Sequence, residues 1–541
     1  MTARTLTLLA GLSLLMTGCE TSSPPVQFAA DQVLRLVASQ DVQTLDPAKI
    51  HQPSVELSLA RNVFGGLYRF RDDLVEEPDL AARMPDISSD GLTWTFHLRT
   101  NARFSNGNPV KAADVLYSWN RMAALVDYAS SIIFEVVAGY SEVLAGRSKG
   151  GLSGLSAPDD YTVVAKLTAP AGWWLAELGL WSAAVIDKNV VGARGEDTWW
   201  TTPEGLVGTG PFRMTNRNEG RSLDFEPVAN WWGGSTGRLK QVHVDVIADQ
   251  AVQVSRYAAG DYDIVGYTPN DASAQVSAAT VNRFRGDSHL RDELRMHPWF
   301  KTYLLGFRGE GRLGTDADVP VRRALSLALD RGRLAEICLD GAQCAPATGG
   351  LITKGLAGYL GDGADPNSKY DVQTAKSLFH TWDPSGSRLS TIRIGTLSRL
   401  FPLAAEVKAE WQTALGIDVR VEVNEGQNLF RNARQGLYDV TISANLADFD
   451  SPENWFTAVP GACHAAIVNP QFIALLAAAD PKLPTDALSD YKKAGQLLAD
   501  IAACPALVYL QAVHLIKPWV KGAGGNGLYE NYWTGISILK H

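Results

Sequence analysis

The chain has 541 residues, with 49 Lys+Arg against 58 Asp+Glu, a formal net charge of −9 and 46% hydrophobic residues. This composition excludes a disordered or fibrous protein, and at about 100–200 residues per domain the length predicts about three domains with cores of their own. Nucleic acid is excluded as a partner, because binding phosphates needs clustered Lys/Arg and no basic run here exceeds two residues.

Arg4, the apolar stretch Leu6 to Met16 and then Thr17-Gly18-Cys19 read as a signal peptide over residues 1–18. The stretch falls short of the roughly 20 residues that span a bilayer, and no comparable run follows. Leu15-Met16-Thr17-Gly18-Cys19 resembles a bacterial lipobox with Met16 in place of the usual Leu, so Cys19 is expected to be lipidated and to hold a soluble body at a membrane surface. The other reading is an ordinary signal peptide cut elsewhere, with Cys19 incidental. Residues 19–31 then form the lipidated end and a polar tether.

From Leu92 to Leu98, Trp94, Phe96 and Leu98 alternate with Thr93, Thr95 and His97, the pattern of a half-buried strand. Asn106-Gly107 is a turn, and Asp114 opens a helix with Val115, Leu116, Trp119 and Met122 at helical spacing. Gly208-Thr209-Gly210-Pro211-Phe212 reads as a tight turn into a strand rather than a phosphate cradle, since Pro211 removes a donor and no helix pattern follows. Residues 321–331 are predicted as one helix, its stripe of Val321, Ala324, Leu325, Ala328 and Leu329 opposite Arg322, Arg323 and Ser326. A strand at Ile392 and Ile394, a helix over 403–415 and an alternating strand through Val419, Val421 and Val423 make a βαβ unit, so an α/β domain. Tyr438 to Ala444 is a further strand, ending in the acidic string Asp448-Phe449-Asp450-Ser451-Pro452-Glu453.

Without Cys19, four cysteines remain, Cys338, Cys344, Cys463 and Cys504, an even number in an exported and therefore oxidising setting. Three pairings are open; Cys338–Cys344 with Cys463–Cys504 is preferred. Zinc is the other reading, but no Cys-x-x-Cys occurs and His464 alone neighbours a Cys. No His-Glu-x-x-His, Gly-x-Ser-x-Gly, Walker or dinucleotide-binding string is present, and the acidic string lacks the glycine and spacing of a calcium loop. Neither metal nor other cofactor, and no catalytic residue, is expected.

Several strings in one order resemble a known family. Thr44-Leu45-Asp46-Pro47-Ala48-Lys49-Ile50, Trp94-Thr95-Phe96-His97-Leu98-Arg99 through Asn106-Gly107 to Trp119-Asn120-Arg121, and Gly208-Thr209-Gly210-Pro211-Phe212 carry the likeness. So do Arg256-Tyr257 with Gly260 and Asp263, Val321-Arg322-Arg323-Ala324-Leu325 through Asp330-Arg331, and Lys517-Pro518-Trp519-Val520 with the terminal Ile538-Leu539-Lys540-His541. The chain resembles the cluster 5 extracytoplasmic solute-binding proteins of ABC importers, the oligopeptide-binding branch above all. The resemblance implies an α/β, two-lobed periplasmic-binding-protein-like clamp of class II type with an extra domain inserted into the first lobe. The expected division is lobe I from 32–65, 196–299 and 515–541, an inserted domain at 66–195, and lobe II at 300–514.

The implied partners are an oligopeptide, the permease subunits of the importer and, through the lipid, a membrane, with the protein a monomer. Such a protein reads the peptide's backbone and α-ammonium. The residue matching the family's ammonium-binding Asp is Asp448, and backbone pairing is expected from Ala444, Asn445 and Leu446 on one lobe and His51, Gln52 and Ser54 on the other, Pro53 having no amide to give. The chain also departs from the pattern. A cleft Cys pair is replaced by Lys301 and Leu446, pocket Trp residues by Gly426 and Asn445, and basic residues for the ligand carboxylate by Ala433, Ser443 and Leu400, leaving the neighbours Arg434 and Arg399 as candidates. The alternatives are a non-peptide solute (a glycan fragment, metal chelate or murein peptide), an exported peptidase, or a sensor or adhesin built on the same clamp.

Overall fold

The computed structural model of the chain describes residues 27–50, 55–126, 128–148, 150–266, 276–309, 311–426, 428–457, 469–524 and 532–541. The signal peptide, Cys19 and most of the tether, with His51, Gln52, Ser54 and Cys463, lie outside the described residues.

Strand β1 (Val33–Ala38) opens the fold. A hairpin follows, β2 (Tyr68–Phe70) with β3 (Glu76–Pro78), and then an antiparallel sheet of β4 (Asp86–Ile87), β5 (Thr93–His97), β6 (Leu155–Asp159) and β7 (Thr162–Lys166), ordered β4-β5-β7-β6. Trp94 and Phe96 point from β5 into the core below this sheet, as their alternation predicts, and meet Trp174 edge-on at 5.3 and 6.0 Å between ring centroids. Trp119 completes the cluster from the helix Ala112–Ala123, where Asp114 is the third residue and its carboxylate accepts from Lys111 N at 2.9 Å.

The chain then returns to β1 through β8 (Phe212–Asn218), β9 (Ser222–Pro227), β10 (Gln241–Val246) and β11 (Ile264–Val265). β12 (Leu294–Phe307) leads to the second half, which holds β13 (Cys344–Pro346), β14 (Thr391–Leu397), β15 (Asp418–Asn424) and β16 (Val440–Leu446). β17 (Ala506–Ile516) runs back, and a short pair, β18 (Val520–Lys521) with β19 (Ser537–Ile538), ends the chain. Eleven strands form one sheet in the order β15-β14-β16-β12-β17-β11-β1-β10-β9-β8, with β13 on β17. Among the described strands, β12 and β17 alone belong to both halves of it. The N-terminal part of β12 pairs with β17 beside β11, and its C-terminal part lies between β17 and β16.

The predicted βαβ unit is present: β14 and β15 are parallel and joined by the helix Phe401–Leu415, with Pro402 in its first turn and Gly416 at φ 71° ending it. Trp411 of that helix is buried and donates Nε1–H to Leu325 O at 2.8 Å. The predicted helix 321–331 is instead two, Val319–Leu327 and Arg331–Ile337. Asp330 breaks it by capping the second, accepting from Gly332 N and Arg333 N. The polar stripe is also corrected: Arg322 and Ser326 are buried, and Arg322 donates to the carbonyls of Leu313, Thr315 and Ile501.

Cys338 and Cys344 are disulfide-bonded, and Cys504 is buried. Among the described residues no helix is long and apolar enough to cross a membrane, and no group of three or more His, Cys, Asp or Glu could hold a metal ion.

Candidate ligand-binding site

The passage of β12 from one half to the other is irregular. Pro298 faces Gln511 of β17, yet Thr302 faces Tyr509, so Trp299, Phe300 and Lys301 fill the space of a single partner residue. Such a bulge bends the strand and re-aims its side chains. Within the bulge β12 already takes up β16, with Lys301 opposite Leu446, and beyond it Tyr303 lies opposite Ala444.

The phase of this ladder decides which backbone groups are open. Ala447 N donates to Phe300 O at 3.0 Å, which makes 300/447 and 302/445 the hydrogen-bonded pairs and 301/446 and 303/444 the others. The N–H and C=O of Ala444 and Leu446 therefore point away from β12, toward the outer edge of β16. β14 occupies that edge only as far as Ile442, opposite Thr396. Past it, the edge carries no strand among the described residues. Asn445 differs from its two neighbours: its backbone faces β12 and its side chain donates to Trp455 O at 3.0 Å.

Two residues past Leu446 stands Asp448, half-buried, its amide donating to Asn454 Oδ1 at 2.8 Å. The loop is pinned on either side. Phe449 is fully buried, Asp450 accepts from Ala357 N at 2.8 Å, and Pro452 begins the helix Pro452–Thr457. Burial pushes the Asp450 carboxyl up to about 7 and that of Glu453 up to about 8, the latter helped by Asp480 and Glu135. Across from them, on the helix Trp174–Glu177, Glu177 is buried and its Oε2 has no hydrogen-bond partner. Burial raises its carboxyl well above the ordinary range, and Glu453, Glu135 and Asp448 add to the effect. Acidic side chains from three segments thus converge near Asp448; burial keeps Glu177 and Glu453 protonated near neutral pH, and a cation arriving beside them would favour their charged forms.

On β12 the charge is of the opposite sign. Lys301 Nζ lies 4.7 Å from the centroid of the Trp299 ring and 5.9 Å from that of Tyr303. Burial and the nearby Arg399 guanidinium lower the Lys301 ammonium to about 8, and Arg399 also faces the Tyr303 hydroxyl. Arg399 is exposed on the turn Ser398–Leu400 that directly follows β14. Arg434, the other candidate, is exposed in the last turn of the helix Asn428–Arg434 and contributes no charge effect at Lys301 or Tyr303.

The site thus brings together Ala444, Leu446, Asp448 and Arg399 of the predicted set. Sequence reading missed Glu177, Glu453 and a role for Lys301. A signal was there for two of them: Glu177 is the one acid in Trp173-Trp174-Leu175-Ala176-Glu177-Leu178, and Lys301 the one cation among Trp299, Phe300 and Tyr303.

The chain is 28% identical over 535 residues to the periplasmic oligopeptide-binding protein OppA of Salmonella typhimurium, covering 95% of this chain and 94% of that one. It is 26% identical to the periplasmic murein peptide-binding protein MppA of Escherichia coli, over 92% of this chain and 91% of that one. Among solved structures, the unliganded open form of the murein tripeptide-binding protein MppA matches with a TM-score of 0.83 at 24% identity, covering 95% and 99% of the two chains. A second structure of MppA, from E. coli, matches at 0.65 over 95% and 100%. These are two-lobed α/β periplasmic binding proteins. The sequence profile of the bacterial extracellular solute-binding proteins, family 5 Middle, matches residues 76–464. Its members are solute-binding proteins rather than enzymes, and the chain belongs to this family of bacterial extracellular solute-binding proteins.

Proposed function

We propose that the protein is the substrate-binding component of an ABC peptide importer, anchored by a lipid on Cys19 at the extracytoplasmic face of a membrane, that encloses an extended oligopeptide and delivers it to the permease as a monomer. The observation that carries this reading is the open outer edge of β16. Ala444 and Leu446 turn their backbone groups to it, and it ends beside Asp448 near the carboxyl groups of Glu177 and Glu453. A strand-like ligand pairs with such an edge through groups every peptide has, and its α-ammonium then meets Asp448. Asn445 supports the ladder indirectly, by fixing the strand to Trp455.

The lobes are divided as 32–65, 196–299 and 515–541 for the first, 66–195 for its inserted domain, and 300–514 for the second. In support, β4 to β7 fall wholly within 66–195 and β14 to β16 within 300–514, and the irregular step in β12 spans the 299/300 crossing. The test is calorimetry of the mature protein with free and N-acetylated forms of one peptide mixture. Binding confined to free N-termini is expected, and equal binding of both forms would remove Asp448 from its role. Glycan fragments, metal chelates and murein peptides serve as competitors in the same assay, and only the last share the ammonium and carboxylate this site is suited to. Labelling with a lipid precursor, lost on Cys19→Ser, checks the anchor.

A further inference from the structure

The helix Trp174–Glu177 sits between two cores. Trp174 and Leu175 belong to the one built on Trp94, Phe96 and Trp119, whereas Ala176 and the following Leu180 share the other with Phe449, Trp455 and Phe456. Phe70 of β2 joins this second core as well. Beside the helix, Gly172 N donates to Asp480 O at 2.7 Å, and a side chain on Gly172 would strike Lys482 O, so the two layers meet there backbone to backbone.

Both layers bring acid to this contact. From one come Glu177, whose buried Oε2 has no hydrogen-bond partner among the described residues, and Glu135 at the exposed rim. From the other come Glu453, Asp480 and Asp448, which act on Glu177 or on one another. Alongside, Asp450 faces Glu76 of β3. The polar groups around them are engaged otherwise. Thr457 hydrogen-bonds Glu453, Tyr491 donates to Asp480 Oδ1 at 2.9 Å, Lys482 and Lys493 both pair with Asp490, and Arg61 donates to Gly179 O at 2.7 Å.

We infer that this contact is a proton-operated joint, in which the face carrying Glu135 and Glu177 holds to the face carrying Glu453 and Asp480 while the carboxyls between them are protonated, and parts from it as they ionise. A buried carboxylate needs water or a cation, and the closed contact supplies neither to Glu177 Oε2. Two such charges facing each other repel in addition. Separation admits water to both faces, so ionisation and separation favour each other. The joined form is fully favoured below the ordinary carboxyl range. It loses ground as pH rises from there through about 8, where burial, then Asp480 and Glu135, hold the Glu453 carboxyl, by up to roughly tenfold per pH unit for each group. The joint is a property of the chain itself and does not depend on the ligand being a peptide.

The test uses the mature, ligand-free protein, by X-ray scattering and by hydrogen exchange corrected for the intrinsic effect of pH. The radius of gyration should rise between about pH 6 and about pH 9 and return on reversal. Over the same range the protection of segments 171–180 and 478–484 should fall by roughly tenfold or more, while that of β5 holds. The double variant Glu177→Gln, Glu453→Gln should match the wild type at the lower pH and stay more compact than it at the higher, with circular dichroism confirming its fold. A radius and a protection that do not change with pH would overturn the joint. So would a folded variant that follows the wild type throughout, or an expansion that leaves both segments protected, since the movement would then lie elsewhere. Should the variant not fold, exchange in the wild type decides alone. Any of these failures leaves the peptide reading standing.

Discussion

Glu453 offers a test of the acidic end that needs no ligand. Its carboxyl is held at about 8 by burial first, then by Asp480 and Glu135, against an ordinary 4.5, with Thr457 as a minor opposing partner. The folded chain therefore holds this proton more tightly than the unfolded one. Its contribution to stability is fully present below the unfolded value and is lost as pH rises from there through about 8. A shift of this size corresponds to at most about 4 kcal/mol at pH 8, and shared charge with the neighbouring carboxylates brings the expected figure to about 2–4 kcal/mol. Glu453→Gln keeps the shape and removes the titration. It should match the wild type near pH 4, within about 0.5 kcal/mol, and exceed it by about 2–4 kcal/mol at pH 8. Urea unfolding of ligand-free protein, followed by circular dichroism at several pH values, measures the difference. A gap between the two proteins that stays constant across this range would mean that Glu453 is hydrated and titrates as in the unfolded chain, so that it is no part of a buried acidic cluster at Asp448.

Two further outcomes are expected. Asp448→Asn should weaken peptide binding by roughly 2–3 kcal/mol, less than for a fully buried pair because Asp448 is half-buried, with the unfolding midpoint little changed. Calorimetry at matched temperature checks this. Arg121→Met should cost about 3 kcal/mol of stability with binding intact, since it strands the fully buried Asp46 that now accepts two hydrogen bonds from Arg121 at 2.5 and 3.0 Å.

That last pair shows what the sequence made legible. Asp46 and Arg121 come from two of the strings that carry the family likeness, and they meet each other rather than a ligand. The same holds for Asp263, which accepts from Trp519 Nε1 at 2.7 Å and Arg35 N at 2.8 Å, and for Tyr257 and Lys517, which share Glu293. Motifs of this kind report the scaffold, so the fold followed from them, as did β14, β15 and the helix between them from simple periodicity. The break at Asp330 was hidden because Ala328 and Leu329 continue the apolar spacing across it. Asp448 entered the candidate site through likeness alone, whereas the difference between Asn445 and its neighbours depends on a register set with residues some 145 positions away in β12. Glu177 and Glu453 are separated further still, and their meeting depends on how two layers pack. Lys301 sits in an ordinary strand pattern until the bulge turns it.

The acidic end bears on what the proposed peptide receptor would select. Burial keeps the Glu177 and Glu453 carboxyls protonated near neutral pH, and a cation arriving beside them favours their charged forms. On the peptide reading, a ligand with a free ammonium at Asp448 gains from this response and an acetylated one does not. Along the open edge of β16, Ala444 and Leu446 offer backbone groups and small or apolar side chains with no means of reading sequence. The same reading therefore expects a preference for an unblocked, extended chain with tolerance of its side chains, and, because Asp448 and Glu177 come from segments far apart in the chain, a ligand that engages both is expected to hold those segments together more firmly than one that engages a single group.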